Sequence, residues 1–254
     1  MAIVGWRNIT DIYRFSEDLK KFENNTKWQK QIIEILKSND PNLTYEWVEK
    51  NDKQNQKQGK DLILYKDIYI AYIDIKAITY SDKPNKHPYL KNIPLELINN
   101  YKIYIKTKGK QGISWLFNSN YQTHYVLYYW LDQDQNVRDT LIIINYKDLR
   151  KWAEEIFDFK IFYQSISSDP IYNKINSQKK ATDFVSYFNG FSIFSCKNEG
   201  EYFTINTPIE LDFLNKELQK KGLSPICKNV KKDTKTDLIK SETKNLKEGA
   251  KKWY

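Results

Sequence analysis

The sequence predicts an α/β fold, with a larger N-terminal core and a smaller C-terminal α/β addition. Over residues 10–37, apolar side chains recur near the 3.6-residue spacing of a helix, and residues 146–157 repeat that pattern. Between these helices lie runs rich in Ile and Tyr, above all residues 61–79 and 125–131, whose composition is typical of β-strands. Helical and strand patterns in one chain indicate helices packed on a sheet.

Composition excludes several protein classes. Hydrophobic residues make up 40% of the 254 residues, which is enough for a buried core and unlike a disordered chain. No run of about 18 apolar residues occurs, so we predict no membrane contact, and the first ten residues lack a signal-peptide core. Cys196 and Cys227 form no Cys-x-x-Cys motif, which favours reduced thiols in the cytoplasm over a zinc site, with one disulfide as the alternative.

The chain carries 41 basic and 32 acidic residues, a formal charge of +9, which suggests a polyanionic partner such as DNA. Only four of the basic residues are arginine, and Asn, Ile and Tyr are abundant. That composition indicates a coding sequence rich in A and T, which raises the lysine content for reasons other than binding. Charge alone therefore leaves a solvated basic surface as the alternative.

The predicted elements follow one another along the chain. Residues 10–37 form a helix with a break at 24–26, and the next strand covers 43–48. Strands at 61–65 and 67–79 form a hairpin that turns at Lys66-Asp67. The remaining predictions are a short helix at 93–100, a strand at 101–107, a helical turn at 114–117, strands at 125–131 and 140–144, a helix at 146–157, strands at 191–196 and 202–205, and a helix at 208–221.

Three units are predicted from these elements. Residues 1–160 form the core, and residues 161–227 carry enough apolar side chains to form a small α/β subdomain packed on it. Residues 228–254 hold nine lysines against four acids and few apolar groups, which is typical of a basic tail.

One pair of charges stands out from its surroundings. The tripeptide Asp/Glu-x-Lys occurs five times, about as often as in a shuffled sequence of this composition, so it carries no information alone. Only Asp74-Ile75-Lys76 lies in a strongly apolar strand, residues 68–78. Residues i and i+2 of a strand share one face, so Asp74 and Lys76 project together. Two charges on one face of a central strand are costly unless they meet a partner.

Asp61 is the predicted partner, because it opens the preceding strand of the hairpin. A turn at Lys66-Asp67 places Asp61 beside Tyr72, one diagonal step from Asp74. Two carboxylates at that distance repel each other unless a divalent metal or a proton lies between them. Carboxylate oxygens with a backbone carbonyl and waters suit Mg²⁺ or Mn²⁺, which lowers the pKa of a bound water. Lys76 would then orient or deprotonate that water, or hold the developing oxyanion.

The chain resembles the PD-(D/E)XK nuclease superfamily over roughly residues 10–160. The resemblance lies in the order of its elements: a helix, a strand, a strand that opens at Gly-Lys-Asp61, and a strand that ends at Asp74-Ile-Lys76. The resemblance implies a restriction-endonuclease-like core with a mixed central β-sheet flanked by helices. It also implies phosphodiester hydrolysis with Asp61, Asp74 and Lys76 as catalytic residues. Two departures are visible, since Lys60 replaces the proline of the family name and Asp74 stands where glutamate is common.

Many members of the family add a glutamate from the first helix. Glu34 is the preferred candidate because it is the only acid in the apolar segment 32–36, ahead of Glu23 and Glu17. For each of the three, a solvated helix face is the alternative. Asp67 is assigned to the turn, and His87 and His124 lack spaced partners, so neither histidine is predicted to be a metal ligand.

DNA contacts are predicted in a basic loop punctuated by Gly109 and Gly112. Lys106, Lys108 and Lys110 are assigned to phosphates, with an ordinary solvated loop as the alternative. Gln122, which follows the loop, is assigned to DNA as well.

The sequence therefore predicts a Mg²⁺- or Mn²⁺-dependent DNA endonuclease from a restriction, phage or mobile-element setting. Its expected partners are DNA and, because two strands must be cut, a second copy of the chain. The alternative is a catalytically silent nucleic-acid-binding or structural protein of a virus or plasmid that keeps the fold.

Overall fold

Two β-sheets and the helices around them make up the part of the chain that the structure describes. The structure is a computed structural model that describes residues 26–49, 51–79, 92–131, 136–178, 182–197 and 202–230. In these segments no helix combines the length and the apolar character that crossing a membrane requires.

The larger sheet has six strands. From one edge to the other they are β1 (Thr44–Trp47), β2 (Leu62–Lys66), β3 (Tyr69–Thr79), β5 (Tyr125–Leu131), β6 (Val137–Asn145) and β10 (Cys227–Val230). Strands β3 and β5 run parallel, and the other neighbours are antiparallel. The predicted α/β fold is thereby confirmed at the level of a mixed sheet flanked by helices.

The smaller sheet has four antiparallel strands. Their order is β4 (Asn92–Ile98), β9 (Phe203–Glu210), β8 (Phe191–Lys197) and β7 (Thr182–Phe188). Strand β4 comes from the first 160 residues, whereas β10 of the larger sheet comes from the last thirty. The two sheets therefore do not separate at the predicted boundary of residue 160, because each half of the chain supplies a strand to the other half's sheet.

Seven helices and one 3₁₀ turn surround the sheets in the described residues. They are α1 (Lys27–Asn39), α2 (Lys53–Lys57), α3 (Tyr101–Lys106), the 3₁₀ turn Trp115–Phe117, α4 (Tyr146–Ile156), α5 (Phe159–Ile166), α6 (Asp169–Asn176) and α7 (Leu211–Lys220). Several begin at a side-chain cap. Asn145 accepts a hydrogen bond from the Asp148 N–H at α4, and Asp158 accepts from two N–H groups at α5.

The six-stranded sheet has a separate apolar core on each face. On one face, Ile32 and Ile35 of α1 are buried against Leu62, Ile73 and other side chains of the sheet. On the other face, Val126 and Tyr128 belong to a larger core that also includes the four-stranded sheet and the later helices. Because side chains alternate along β3, Ile73 faces α1 whereas Asp74 and Lys76 face the larger core.

Two adjacent predictions are wrong. Residues 93–100, predicted as a helix, form β4, in which Ile93, Leu95 and Leu97 are fully buried and alternate with partly exposed residues. Residues 101–107, predicted as a strand, form α3, which Asn100 caps by accepting a hydrogen bond from Ile103 N–H. Tertiary burial of Tyr101 and Tyr104, one helical turn apart, outweighs the strand preference of a Tyr- and Ile-rich run.

Two predicted boundaries also shift. The last predicted helix begins at Leu211 instead of residue 208, because Pro208 still pairs with Pro94 in β9. The predicted basic tail, 228–254, starts as an ordered strand, because β10 pairs with β6 through Val230. The rest of that tail and residues 10–25 of the first predicted helix lie outside the described residues.

Candidate active site

The two aspartates predicted to form the site lie beside each other. Leu62 pairs with Ile73 across the β2–β3 hairpin, and Asp61 N–H donates to the carbonyl of Ile73 at 2.9 Å. Asp61 Oδ2 also accepts a hydrogen bond from Ile75 N–H at 2.8 Å, which fixes the carboxylate against β3. Asp61 therefore lies next to Asp74 itself.

The predicted register of the hairpin is corrected by this pairing. Lys66 pairs with Tyr69, so the turn residues are Asp67 and Ile68 rather than Lys66 and Asp67. Asp67 adopts a left-handed conformation with φ of 52°, which aspartate tolerates in tight turns and which confirms its assignment to the turn. As a result, Ile63 rather than Asp61 is opposite Tyr72.

Lys76 completes the cluster from the same face of β3. Its Nζ lies 2.9 Å from Asp74 Oδ2 and 4.6 Å from the centre of the Trp115 ring. No hydrogen-bond donor among the described residues otherwise reaches that carboxylate oxygen. Asp74 is only 2% exposed, so its charge depends almost entirely on these neighbours.

Burial controls the ionisation of Asp74. Removal from water raises the pKa of its carboxyl, Lys76 lowers it and the adjacent Asp61 raises it, and together these effects put the pKa at about 7. Asp61 influences Asp74 because the pairing of Leu62 with Ile73 places the two aspartates side by side. At neutral pH the pair can therefore hold either a proton or a cation between its oxygens.

A loop covers the acid pair. Residues 118–124, which we call the strap, are held by hydrogen bonds from Gln122 N–H to the Gln58 carbonyl at 2.9 Å and from the Thr123 hydroxyl to the Gly59 carbonyl. Tyr121 of the strap is close enough to Asp61 and Asp74 that their charges, together with its burial, raise the pKa of its hydroxyl.

Gly59 makes this closure possible. Its φ is +72°, and a Cβ built there would collide with the ring of Tyr121 and lie 2.6 Å from Thr123 Oγ1. Only glycine therefore combines the backbone conformation with the close approach of the strap. The Gly-Lys-Asp sequence before β2 thus supplies Asp61 and also the glycine against which the strap packs.

Glu96 on β4 is a further acid near the cluster that sequence reasoning missed. Burial raises the pKa of its carboxyl and the positive charge of Lys76 lowers it, with a net value of about 7. The strand assignment would have revealed it, since an acid between fully buried Leu95 and Leu97 belongs to the opposite face of a strand. The wrong prediction of a helix at 93–100 concealed that position.

Asp61 and Asp74 have the chemistry of a divalent-cation site. Two adjacent carboxylates, one of them almost fully buried, fit Mg²⁺, which completes its shell with water and backbone carbonyl oxygens. Among the described residues, no group of three His, Cys, Asp or Glu side chains could hold a metal. The candidate ligand set is therefore the two aspartates, and Glu96 is not part of it.

Glu34 does not join the cluster. It is exposed on α1, which packs on the face of the sheet that carries Ile73, whereas Asp74 and Lys76 project from the opposite face. Its neighbours Ile33 and Ile35 are buried against the sheet, so Glu34 lies on the solvent side of the helix. Glu17, Glu23 and His87 lie outside the described residues.

The predicted DNA-binding lysines are solvent-exposed, but nothing described links them to the acids. Lys106 ends α3, and Lys108 and Lys110 follow in a loop whose Gly109 lies against Tyr104 and Tyr163. No hydrogen bond or ion pair between described residues connects this loop with Asp61 or Asp74. Gln122, by contrast, is exposed on the strap itself.

Cationic and aromatic groups extend from the acid pair toward the hairpin turn. Tyr72, two residues before Asp74, stacks on His124 with ring centres 5.1 Å apart, and Lys60 Nζ lies 4.3 Å from the Tyr72 ring centre. Lys60 is buried and packs against this stack. Both cysteines are free thiols.

Searches of protein-family models, of curated proteins and of solved structures find no match to this chain.

Proposed function

We propose that this chain is a metal-dependent DNA endonuclease of the PD-(D/E)XK type, with Asp61, Asp74 and Lys76 as its catalytic residues. The observation that carries the proposal is the placement of two aspartates side by side across the β2–β3 hairpin, with a lysine 2.9 Å from one of them on the same face of the sheet. A buried, mutually repelling acid pair is unfavourable for folding alone, and such groups concentrate at catalytic sites.

The order of elements supports the same family. Helix α1 precedes the antiparallel strands β1, β2 and β3, and β5 then returns parallel to β3 after α3. A restriction-endonuclease-like core has this kind of mixed sheet, with the acids on two adjacent strands. The resemblance noted in the sequence therefore agrees with the arrangement of strands, although the fold class alone does not determine an activity.

The residues have distinct roles in the proposed reaction. Asp61 and Asp74 would hold Mg²⁺ or Mn²⁺, which lowers the pKa of a bound water and screens charge on the phosphate. Lys76 contacts a carboxylate and an aromatic face, which are partners of an ammonium, so we assign it to donating a hydrogen bond to the developing oxyanion rather than to removing a proton. The strap must move to admit substrate, because Asp74 is only 2% exposed.

The test is cleavage of supercoiled plasmid DNA in Mg²⁺ or Mn²⁺, with EDTA as the metal-free control. We expect Asp74→Ala and Lys76→Ala to lower the rate by at least about 100-fold, whereas Lys216→Ala, an exposed lysine on α7, cuts like wild type. A wild-type protein that cuts in no divalent metal, or site variants that cut equally well, would contradict the proposal.

One observation favours the alternative of a catalytically silent binding protein. The Asp74–Lys76 ion pair is already satisfied and nearly sealed, as in a structural ion cluster. A protein of that kind binds DNA without turnover, and Mg²⁺ does not raise its melting temperature. A melting temperature that rises with Mg²⁺ in wild type but not in Asp74→Ala separates the two functions, because a ligand of the native state stabilises it.

A further inference from the structure

The tip of the β2–β3 hairpin carries an unusual apolar surface. Ile68, Tyr69 and Ile70 are 87%, 72% and 51% exposed, although they are consecutive and large. A run of exposed apolar side chains at a strand end commonly marks a binding surface. Tyr125, at the start of β5, is 37% exposed beside it and adds a second aromatic ring.

A cavity of about 460 Å³ lies against this tip. Its walls combine the apolar and aromatic side chains of Leu64, Tyr69 and Tyr125 with the polar groups of His124 and Lys147. That volume lies within the range of small-molecule and cofactor sites, and a nucleotide is of suitable size.

The polar groups of the cavity are donors suited to an anion. Lys147 is exposed and forms no ion pair with any described residue. His124 Nδ1 accepts a hydrogen bond from Tyr72 N–H at 2.9 Å, so the neutral ring carries its proton on Nε2 as a donor. Lys66 also lines the cavity, but Asp40 already neutralises it at 2.6 Å. Lys147 and His124 are therefore the groups of the cavity that can bind a phosphate.

We propose that the hairpin tip and this cavity bind one nucleotide of a nucleic-acid strand, with its base against Tyr69 and Tyr125 and its phosphate on Lys147 and His124. This inference deepens the proposed nuclease function and rests on it for the choice of a nucleic-acid ligand. Aromatic side chains beside cations are the usual means of holding an unpaired base.

The cavity lies near the acid pair along β3 but on the other face of the sheet, since Tyr125 pairs with Ile73 and Tyr69 alternates onto the same side as Ile73. Ile70 lines it, and Asp74 lies four residues further along the same strand, a distance of about 13 Å. A nucleic-acid strand that contacts both places must therefore pass around the tip of the hairpin.

The test measures binding in EDTA, so that cleavage plays no part. Fluorescence anisotropy with labelled single-stranded and duplex oligonucleotides would compare wild type, Tyr69→Ala, Lys147→Ala and the double variant. Tyr187→Ala, 66% exposed on β7, and Lys216→Ala are controls of matched chemistry and exposure. All of these side chains are exposed, so the variants should fold, which thermal melting verifies.

We expect Tyr69→Ala to weaken binding about five-fold or more. Lys147→Ala should weaken it and flatten the slope of log affinity against log salt by about one unit, while the controls bind like wild type. Equal binding by site variants and controls overturns the inference but leaves the nuclease proposal intact if wild type cuts DNA. Loss of binding without any cleavage by wild type supports the inference and contradicts the nuclease proposal.

A second copy of the chain is the competing occupant. In sedimentation velocity we expect wild type and Tyr69→Ala to give the same oligomeric state. A wild-type dimer that Tyr69→Ala dissociates would overturn the inference, because the tip would then serve self-association.

Discussion

The two faces of the six-stranded sheet use the same strands for opposite purposes. On the α1 face, Leu62 and Ile73 are buried among apolar side chains, whose removal from water favours folding. On the other face, their neighbour Asp74 is buried beside the half-buried Asp61 and Lys76, and burial of that carboxyl costs folding free energy. Adjacent residues of one hairpin therefore differ in what they contribute, and we expect stability to depend on one face and activity on the other.

The sharpest way to break this comparison is to change one residue from each face. We expect Ile73→Ala to lower the free energy of unfolding by about 2–5 kcal/mol, because it leaves a cavity in a packed core. Asp74→Asn should not lower it at neutral pH, since the amide removes a buried charge and its repulsion with Asp61, and Lys76 keeps 29% of its side chain exposed to water. Urea unfolding measures both.

Cleavage assays should show the reverse order. Asp74→Asn should abolish activity, while Ile73→Ala retains it at temperatures where that variant is folded. If Asp74→Asn proves as destabilising as Ile73→Ala, then the acid cluster is structural and the contrast between the faces is lost.

The strap offers a second comparison, between two glycines with left-handed backbones. Gly59→Ala and Gly190→Ala both place a side chain at positive φ, 72° and 83°, which costs about 1 kcal/mol or more. Only at Gly59 does the added Cβ collide with Tyr121, whereas nothing lies within 4 Å of it at Gly190. We expect Gly59→Ala to lose about 1–2 kcal/mol more in urea unfolding, because the strap must be displaced.

Hydrogen exchange provides the structural readout for that pair of variants. The N–H groups of Gln122 and His124 bond to Gln58 and Tyr72, so their exchange should accelerate in Gly59→Ala and stay slow in Gly190→Ala. Unchanged protection in Gly59→Ala would show that the strap tolerates the added methyl group.

The pH dependence of stability tests the charged face in metal-free protein. The folded pKa of Asp74 is about 7, above its unfolded value near 3.8, so the folded state holds the proton more tightly. The stabilisation from this group is therefore complete below pH 4 and is lost as pH rises toward 7. We expect wild type to lose about 1 kcal/mol relative to Asp74→Asn between pH 6 and 7, measured by urea unfolding. A constant difference would mean that Asp74 titrates normally.

The smallest expected effect concerns charges remote from the acid pair. Replacing Lys106, Lys108 and Lys110 with alanine should weaken DNA binding alike for all sequences and flatten the salt slope by about two to three units. Stability should hardly change, since the three side chains are exposed. An unchanged slope would assign nucleic-acid binding to other surfaces, including the hairpin tip.

The sequence predicted the acid pair and the hairpin well because both depend on local order. Alternation along 68–78 places Asp74 and Lys76 on one face in any pleated strand, and Asp61 follows from a short turn. The predicted pairing of β2 with β3 was displaced slightly along the strands, because the turn residues are Asp67 and Ile68 rather than Lys66 and Asp67. Turn position is decided by which residue adopts positive φ, and Asp67 and its neighbours allow more than one choice.

Predictions that depended on distant partners were less successful. Residues 93–100 were predicted to be a helix although they alternate like a strand, and Pro94 is tolerated there because β4 is an edge strand. Glu96 was missed for the same reason. Glu34 was chosen for its apolar neighbours, yet those neighbours show only which side of α1 is buried and not which face of the sheet the helix covers.

By itself, therefore, the sequence determined the mixture of helices and strands, the hairpin, and the common face of Asp74 and Lys76, since each follows from periodicities of two or 3.6 residues. The tertiary structure alone decided that β4 joins the four-stranded sheet and β10 the six-stranded sheet. It also decided that Glu96 lies near Lys76 and that the strap packs over the acids at Gly59. Those features join residues far apart in the chain, and their contacts depend on packing and burial that no local pattern specifies.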